Sequence, residues 1–335
     1  MGDNGMNTVL TLDDLAARSI DLTVEYTPIE FLLEYRDKPF MARGDLQGIK
    51  GKAKAGKSHL LAIYASVLLG ASFEGFRALV SNAKVLYIDT EQNRLNTQNL
   101  GRKIKRLAGI PIDQKHPHLI IYNLRKDSPH NRLQLIKMAI EAHQPHLVII
   151  DGLRDVIYDF NNVEESGTIV TELMRLSEMY NCAICSVMHT GKTTNGEMRG
   201  HAGAELLNKC ESVVNVTKVG QGLDAYFKVE QTESRNAPID SFTFRLNAEG
   251  IPTAVEAPNP ITTEEKKQHE IISNLDLVLK PGTGMSYNML VNTYAEATVC
   301  SIRTAKRHIA SALQYGKLLK DQDNNYNRRV YVQSN

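Results

Sequence analysis

The sequence has no long apolar run and little net charge. No apolar stretch approaches 18 residues, so we expect no membrane-spanning helix. The first residues, MGDNGMNTVLTLDD, lack a basic segment followed by an apolar one, so we expect no signal peptide and a cytoplasmic location. Formal net charge is only +1 over 335 residues. Any contact with nucleic acid must therefore come from a local cluster of basic residues.

Cysteine is also scarce, and four cysteines in a chain of this length exclude a disulfide scaffold. Cys182 and Cys185 form a CxxC pair within the apolar run NCAICSVMH. No second Cys/His pair stands nearby at zinc spacing, which favours two buried thiols on a strand over a redox or metal pair. A reducing compartment fits this cysteine usage.

Strand and helix patterns alternate from residue 47 to residue 190. This order predicts an α/β fold with a mainly parallel sheet covered by helices on both faces. We expect residues 1–45 to form a lead-in over one edge of a main domain at 46–255, in which three segments between 213 and 250 look like edge strands. The polar, proline-bearing segment 256–267 predicts a linker, and 268–335 a second, smaller domain.

A glycine-rich loop at 51–58, GKAKAGKS, satisfies the pattern G-x-x-x-x-G-K-[ST] in full. Glycines let backbone N–H groups approach phosphate oxygens, and the following helix directs its positive end at the anion. Lys57 would reach the β and γ phosphates of ATP, and Ser58 would ligate Mg²⁺. The predicted nucleotide-binding residues are Gly51, Lys52, Ala53, Lys54, Ala55, Gly56, Lys57, Ser58 and His59.

Two acids stand at the ends of predicted strands downstream of this loop. Asp151 ends LVIID and is predicted to hold the metal through water. Glu91 ends YIDTE and would lie at the carboxyl edge of the sheet, where it could orient the attacking water. Asp89, two residues earlier, would share its face if the strand persists. The alternative for Glu91 is a solvated strand end, and for Asp151 a turn cap.

The order of these motifs resembles the RecA-like ATPases, and among them the hexameric replicative helicases of the DnaB and plasmid RepA type. The likeness covers about residues 30–250. The large N-terminal domain of the DnaB type is missing, so the compact RepA type is the nearer match. DTEQ with Arg94, and MRGHAG, also look like ATPases of mobile elements, including mobilizable elements and phages.

The resemblance implies roles for several further residues. His189 in SVMHTGK matches the residue that senses the γ-phosphate, although a histidine at a strand end can also be a hydrogen-bonded core residue. Lys192 and Arg199 fall in the segment matching the DNA-facing loop, where the alternative is a solvated face. Arg235 matches an arginine that completes a neighbouring subunit's site, with Glu233 where these helicases often carry lysine. A homo-oligomer, a hexamer in this family, is implied.

The C-terminal segment from Tyr287 resembles a winged helix, with a helix-turn-helix followed by a hairpin. Ser301 is a candidate N-cap for the second helix. Residues 301–335 hold seven Lys/Arg against two Asp, a net +5, which is typical of phosphate contact. A protein-binding winged helix is the alternative. The predicted DNA-binding residues of this domain are Arg303, Lys306, Arg307, Arg328 and Arg329.

These features leave three functions open. The first is a hexameric ATPase that translocates on single-stranded DNA and unwinds duplex. The second is an ATP-switched DNA-binding protein that assists replication, mobilisation or transposition. The third is a RecA-like signalling ATPase without DNA contact, against which the basic C-terminal domain argues.

Overall fold

The computed structural model describes residues 10–159, 162–189, 205–206, 208–222, 225–256, 263–280, 283–322 and 324–328. The chain divides into two compact units, Met1–Glu256 and Ala257–Asn335. Among the described residues, no helix is long and apolar enough to cross a membrane.

The first unit is an α/β fold with twelve described strands. They are β1 (Phe31–Tyr35), β2 (Lys38–Ala42), β3 (Leu46–Gly51), β4 (Phe76–Ala78), β5 (Val85–Asp89), β6 (Leu119–Asn123), β7 (Leu147–Asp151), β8 (Ala183–His189), β9 (Ser212–Val219), β10 (Tyr226–Ser234), β11 (Phe242–Leu246) and β12 (Pro252–Val255). Its described helices of five or more residues are α1 (Leu12–Ala16), α2 (Lys57–Leu68), α3 (Arg94–Leu107), α4 (Pro129–His143) and α5 (Val163–Met179).

Nine of these strands form one large sheet in the order β12-β11-β10-β9-β3-β8-β7-β5-β6. The six strands from β9 to β6 run parallel. The segments expected as edge strands, β9 to β11, lie inside the sheet, because β9 pairs with β3 in parallel and β12 continues the sheet beyond β11. The edges of the described sheet are β12 and β6.

Helices cover both faces of the parallel part. Helices α2 and α3 pack on one face in a core with Tyr87 and Ile149, whereas α4 and α5 pack on the other with Ile88 and Ile150. Strand residues alternate between the two cores, which is why β5 and β7 are continuously apolar in sequence. The expectation of a mainly parallel sheet is confirmed.

The predicted lead-in contains regular structure. Strands β1 and β2 form a separate antiparallel sheet with β4 in the order β2-β1-β4. Phe40 from β2 contacts Tyr64 of α2 and Phe76 of β4, with ring centroids 5.5 and 5.9 Å away. Residues 31–42 therefore belong to the main core, whereas none of residues 10–30 is buried.

The second unit contains α6 (Thr263–Val278), α7 (Tyr287–Ala297) and α8 (Ile302–Gln314), followed by the hairpin of β13 (Leu318–Lys320) and β14 (Tyr326–Arg328). Helix α6 begins inside the predicted linker 256–267. Ser301 caps α8, because its side chain accepts a hydrogen bond from the Thr304 amide at 3.1 Å. A small core of its own holds this unit together, including Leu290, Tyr294 and Ile309.

Candidate functional site

The carboxyl ends of four parallel strands bring the predicted polar residues to one edge of the sheet. Gly51 at the end of β3 stands opposite His189 at the end of β8. Asp151 at the end of β7 stands opposite Asp89 at the end of β5. This edge is where an α/β sheet binds ligands.

The glycine loop has the local geometry that its sequence predicts. It runs from the end of β3 to the first residue of α2, Lys57. Gly56 has φ +95°, and a Cβ there would stand 2.3 Å from the Phe227 ring. A Cβ on Gly51 would stand 2.5 Å from the Val216 carbonyl oxygen. Both positions thus require glycine.

The Lys57 ammonium is buried inside this loop. Its Nζ donates to the carbonyl oxygens of Gly51 and Lys52 at 3.0 and 2.9 Å, and it lies 3.2 Å from Nδ1 of His189. Burial lowers the pKa of Lys57, and the charges of Asp151 and Glu91 oppose that shift. The lysine is therefore held by neutral acceptors at the point where phosphates would bind.

Ser58 and Asp151 meet on the other side of the loop. The Ser58 hydroxyl donates to Oδ2 of Asp151 at 2.8 Å, and the buried Tyr87 hydroxyl donates to the same oxygen at 2.6 Å. Burial raises the pKa of Asp151, while these two hydrogen bonds lower it. A hydroxyl and a carboxylate are hard oxygen donors of the kind Mg²⁺ takes, so the pair fits this ion.

His189 connects Lys57 to Glu91. Its Nε2 lies 3.1 Å from Oε1 of Glu91. Because the lysine can only donate, Nδ1 must accept, which assigns the proton of the neutral imidazole to Nε2 and makes it the donor to Glu91. The hydrogen bond from His189 lowers the pKa of Glu91. Glu91 is therefore kept as a carboxylate, the form that a base requires.

Asp89 does not share the site with Glu91, because β5 ends at Asp89 and Glu91 lies in the loop beyond it. The Asp89 carboxylate is fully buried. It accepts hydrogen bonds from the backbone N–H groups of Glu91 and Gln92 at 3.0 and 2.9 Å, and from the Thr97 hydroxyl at 2.7 Å. Asp89 therefore fixes the loop that carries Glu91.

Gly152, which the sequence reasoning missed, makes room for that loop. It has φ +110°, and a Cβ would stand 2.4 Å from Oγ1 of Thr90 and 2.8 Å from Cγ of Glu91. The Thr90 hydroxyl donates to the Gly152 carbonyl at 2.8 Å. The glycine directly after Asp151 was the signal in the sequence that could have indicated this close approach.

A cleft of about 510 Å³ is lined by residues 54–59, Glu91, Asp151 and His189, and also by residues that belong to no motif. Lys103 of α3 places Nζ 3.1 Å from Nδ1 of His59. Burial lowers the pKa of His59 to about 4, and the charge of Lys103 acts in the same direction. The His59 ring meets Phe227 edge-on, with centroids 5.8 Å apart. This end of the cleft is lined by a neutral imidazole, an aromatic ring and an ammonium.

Arg235 lies away from the site of its own chain. It follows β10 beside the start of β9, where Ser212 pairs with Gln47 at the amino end of β3. Its amide donates to the Glu211 carbonyl at 2.9 Å. The guanidinium reaches the carbonyl oxygens of Asn208 and Lys209 at 3.4 Å. The structure therefore places Arg235 near the amino ends of the parallel strands, whereas Lys57 follows the carboxyl end of β3.

The residues predicted to bind DNA are described only in part. Lys192, Arg199 and Arg329 lie outside the described residues, as does the side chain of Arg328. The three basic residues of α8 are exposed, on the side away from the buried residues Ala305, Ile309 and Ala312. These three are Arg303, Lys306 and Arg307.

The CxxC pair consists of two free, buried cysteines at the start of β8. Burial raises the pKa of Cys182 to about 12, and it also raises that of Cys185. Within the described ranges, no group of three His, Cys, Asp or Glu residues could hold a metal ion. The described structure agrees with two inert thiols.

Comparison with known proteins agrees with this geometry. Residues 30–195 match the AAA_25 family, described as an AAA domain. A search of curated proteins finds no match to the sequence. The matched segment contains the glycine loop, Glu91, Asp151 and His189. Residues 30–195 are therefore an AAA domain of the RecA-like P-loop ATPase type.

Proposed function

We propose that the protein binds ATP with Mg²⁺ and hydrolyses it at this cleft. The observation that carries the proposal is the 2.8 Å hydrogen bond between Ser58 and Asp151, adjacent to Lys57. Glu91 and His189 line the same cleft. Phosphoryl transfer to water needs oxygen ligands for the cation, a positive charge for the phosphates and an ionised carboxylate. Ser58 with Asp151, Lys57 and Glu91 would supply these three groups.

Each residue has one task in this scheme. Ser58 would ligate Mg²⁺ directly and Asp151 through water, and the ion would neutralise charge on the β and γ phosphates. Lys57 supplies positive charge to the same phosphates. Glu91 orients the attacking water and takes its proton as the bond from the γ-phosphorus to the bridging oxygen breaks, releasing ADP and phosphate. His189 holds Glu91 in its ionised form.

We further propose that the second unit binds DNA as a winged helix. Helices α7 and α8 are joined by a tight turn at 298–300, and the β13–β14 hairpin would form the wing. The exposed side of α8 carries Arg303, Lys306 and Arg307. Replacing all three by glutamine should reduce the slope of log K against log salt by about 2.7, at ~0.9 per lost phosphate contact. An unchanged slope would favour a protein-binding role.

The best overall proposal is a DNA-dependent ATPase, a hexameric RepA-like helicase or translocase of a plasmid, phage or mobile element. The support is that Arg235 is exposed and distant from its own cleft, as an arginine acting on a neighbouring subunit must be. The second candidate is an ATP switch that orders oligomers on DNA without unwinding. The cations on α8, suited to docking on duplex, favour it.

One assay separates the two candidates. ATP turnover is measured with and without single-stranded DNA, and strand displacement is scored on a forked duplex. Stimulation with displacement supports the motor, and stimulation without displacement supports the switch. Absence of stimulation would refute both in favour of a signalling ATPase. Lys57→Ala is the control that should abolish turnover in every case.

The position of Arg235 has its own test. Subunits carrying Arg235→Ala are mixed with subunits carrying Lys57→Ala, neither of which should turn over ATP alone. Partial recovery of turnover at intermediate ratios is expected, because some interfaces then combine an intact cleft with an intact arginine. No recovery at any ratio would remove Arg235 from the site.

A further inference from the structure

The turn between α7 and α8 is fixed by two backbone hydrogen bonds. The Cys300 amide donates to the carbonyl oxygen of Ala295 at 3.0 Å. The Val299 amide donates to the carbonyl oxygen of Glu296 at 3.3 Å. This pair of bonds defines the Schellman motif, in which the residue after the helix cap has a positive φ and is usually glycine. Val299 holds that position with φ +51°, a conformation that β-branched residues rarely adopt.

The same motif ends four other helices of the chain, each with a residue suited to it. The same two backbone hydrogen bonds close the ends of α2, α3, α5 and α8. The residues with positive φ at these ends are Gly70, Gly109, Asn181 and Gly316. Glycine has no Cβ to clash, and asparagine is tolerated in this region. Among these helix ends, Val299 is therefore the residue that strains its own turn.

Packing within the chain does not explain the valine. Val299 exposes 93% of its surface. It is also absent from the set of apolar residues that pack in the core of the second unit. A residue that strains the backbone and contributes nothing to the core costs stability without a return inside the fold. Such an outlier points to a contact with a molecule outside the chain.

Ile302 extends this exposed apolar surface toward the basic side of α8. It is the first residue of the helix and exposes 46% of its surface. It lies three residues after Val299 and directly before Arg303. Because Lys306 follows it by four residues, Ile302 and Lys306 are neighbours on the helix surface. The two apolar side chains thus border the cations of α8.

The charge around this turn is of one sign. Residues 297–320 hold five Lys/Arg and no Asp/Glu, a net +5. A polyanion that also offers apolar groups fits such a surface. Duplex DNA has this combination, because the C5 methyl of thymine is exposed in the major groove beside the phosphates. In helix-turn-helix proteins the N-terminal residues of the second helix contact base edges, and Val299 and Ile302 stand at that end of α8.

We propose that Val299 and Ile302 contact thymine methyl groups in the major groove of duplex DNA. The inference rests on the proposed DNA binding by the second unit, and it deepens that proposal by naming what the turn reads. The nearby cations bind the phosphates, which carry no sequence information, whereas the two apolar side chains distinguish thymine from the other bases. A glycine in the turn would relieve the strain but present no methyl group to the base.

The test compares two duplexes that differ only in these methyl groups. One is the duplex that the wild-type protein enriches from a random-sequence pool, and the other is the same duplex with every thymine replaced by uracil. Affinity is measured by fluorescence anisotropy with the full-length protein. Wild type should bind the uracil duplex about fourfold to fifteenfold more weakly, for the loss of one or two buried methyl groups.

Two variants connect that difference to the turn. Val299→Gly with Ile302→Ala should bind the two duplexes equally. The matched control is Leu277→Ala, because Leu277 is an apolar residue of α6 that is 70% exposed. The control should keep the wild-type ratio of the two affinities. A double variant that also keeps this ratio would overturn the proposal.

The single variant Val299→Gly gives a readout that a structural role would not give. Glycine adopts φ +51° without strain, so the urea midpoint of the second unit should rise. Affinity for the thymine duplex should nevertheless fall about fourfold, for one lost methyl contact. A midpoint that does not rise, or an affinity that does not fall, would contradict the inference.

The outcomes also separate this inference from the proposed function. Equal affinity of wild type for both duplexes, or a pool from which no duplex is enriched, would overturn the reading of thymine and leave DNA binding by the basic residues in place. Absence of binding to any duplex would overturn both proposals and would favour a protein partner for the turn.

Discussion

Replacing His189 by alanine tests the link between Lys57 and Glu91. The change removes two contacts, 3.2 Å to Lys57 and 3.1 Å to Glu91. A hydrogen bond to a charged group contributes about 1.5–3 kcal/mol. The lower end applies to the contact with Glu91, because the side chains of His189 and Glu91 are 31 and 38% exposed. Loss of one such contact in the transition state lowers turnover about tenfold, and loss of both about 100-fold.

The pH profile adds a second readout. In the proposed mechanism Glu91 acts as a base only when ionised, and the hydrogen bond from His189 lowers its pKa. Without the imidazole that pKa rises, so the acidic limb of the kcat/KM profile should move to higher pH in His189→Ala. His189→Gln, whose amide both donates and accepts, should lie between wild type and alanine.

The assay is steady-state ATP turnover from pH 4.5 to 8, with nucleotide affinity measured in parallel. His130→Ala is the matched control, because His130 is exposed in the first turn of α4 and does not line the cleft. Turnover of His189→Ala within about twofold of wild type, with an unmoved acidic limb, would refute the coupling of Lys57 and Glu91 through the imidazole.

Three further substitutions probe stability and binding together. Burial raises the pKa of Asp151 above its unfolded value, so its negative charge destabilises the folded state once the pH is above that range. Asp151→Asn should therefore stabilise the nucleotide-free protein at pH 7 by about 0.5–2 kcal/mol in urea unfolding. The same substitution should abolish Mg²⁺-dependent nucleotide binding. Gly56→Ala places an alanine at φ +95° with its Cβ 2.3 Å from the Phe227 ring, and should lower the free energy of unfolding by at least about 1–2 kcal/mol. If the clash with the ring matters, adding Phe227→Ala should recover part of that loss; no recovery would mean that the clash is unimportant. Ser301→Ala should cost about 1 kcal/mol in the unfolding of the second unit, measured by urea titration, because it removes the cap of α8; an unchanged midpoint would contradict that role.

Local patterns predicted the parallel sheet and the ends of three of its strands, β3, β7 and β8. The glycine loop, Asp151 and His189 could be located because each directly follows or ends an apolar run, and strand ends meet at one edge. Their roles in catalysis stay predictions. Glu91 was located for a partly wrong reason, since the strand ends two residues earlier and a loop fixed by Asp89 carries it.

Features that depend on packing between distant segments could not be predicted in this way. Nothing in GRKIKRL distinguishes Lys103, which faces the cleft, from the lysine two residues later. In the sequence Tyr87 cannot be told from the other apolar residues of β5, although its hydroxyl donates a hydrogen bond to Asp151 in the structure. β1 and β2 were missed because Arg36 and Asp37 make a tight turn, with φ of 48° and 62°, that no glycine marks.

The buried carboxylate of Asp89 ties two parts of the molecule into one rigid piece. It holds the backbone of Glu91 and Gln92 on one side and the Thr97 hydroxyl, in the second turn of α3, on the other. A displacement of α3 would consequently carry the backbone of Glu91 with it. It would also change the position of Glu91 relative to His189, which stands on β8.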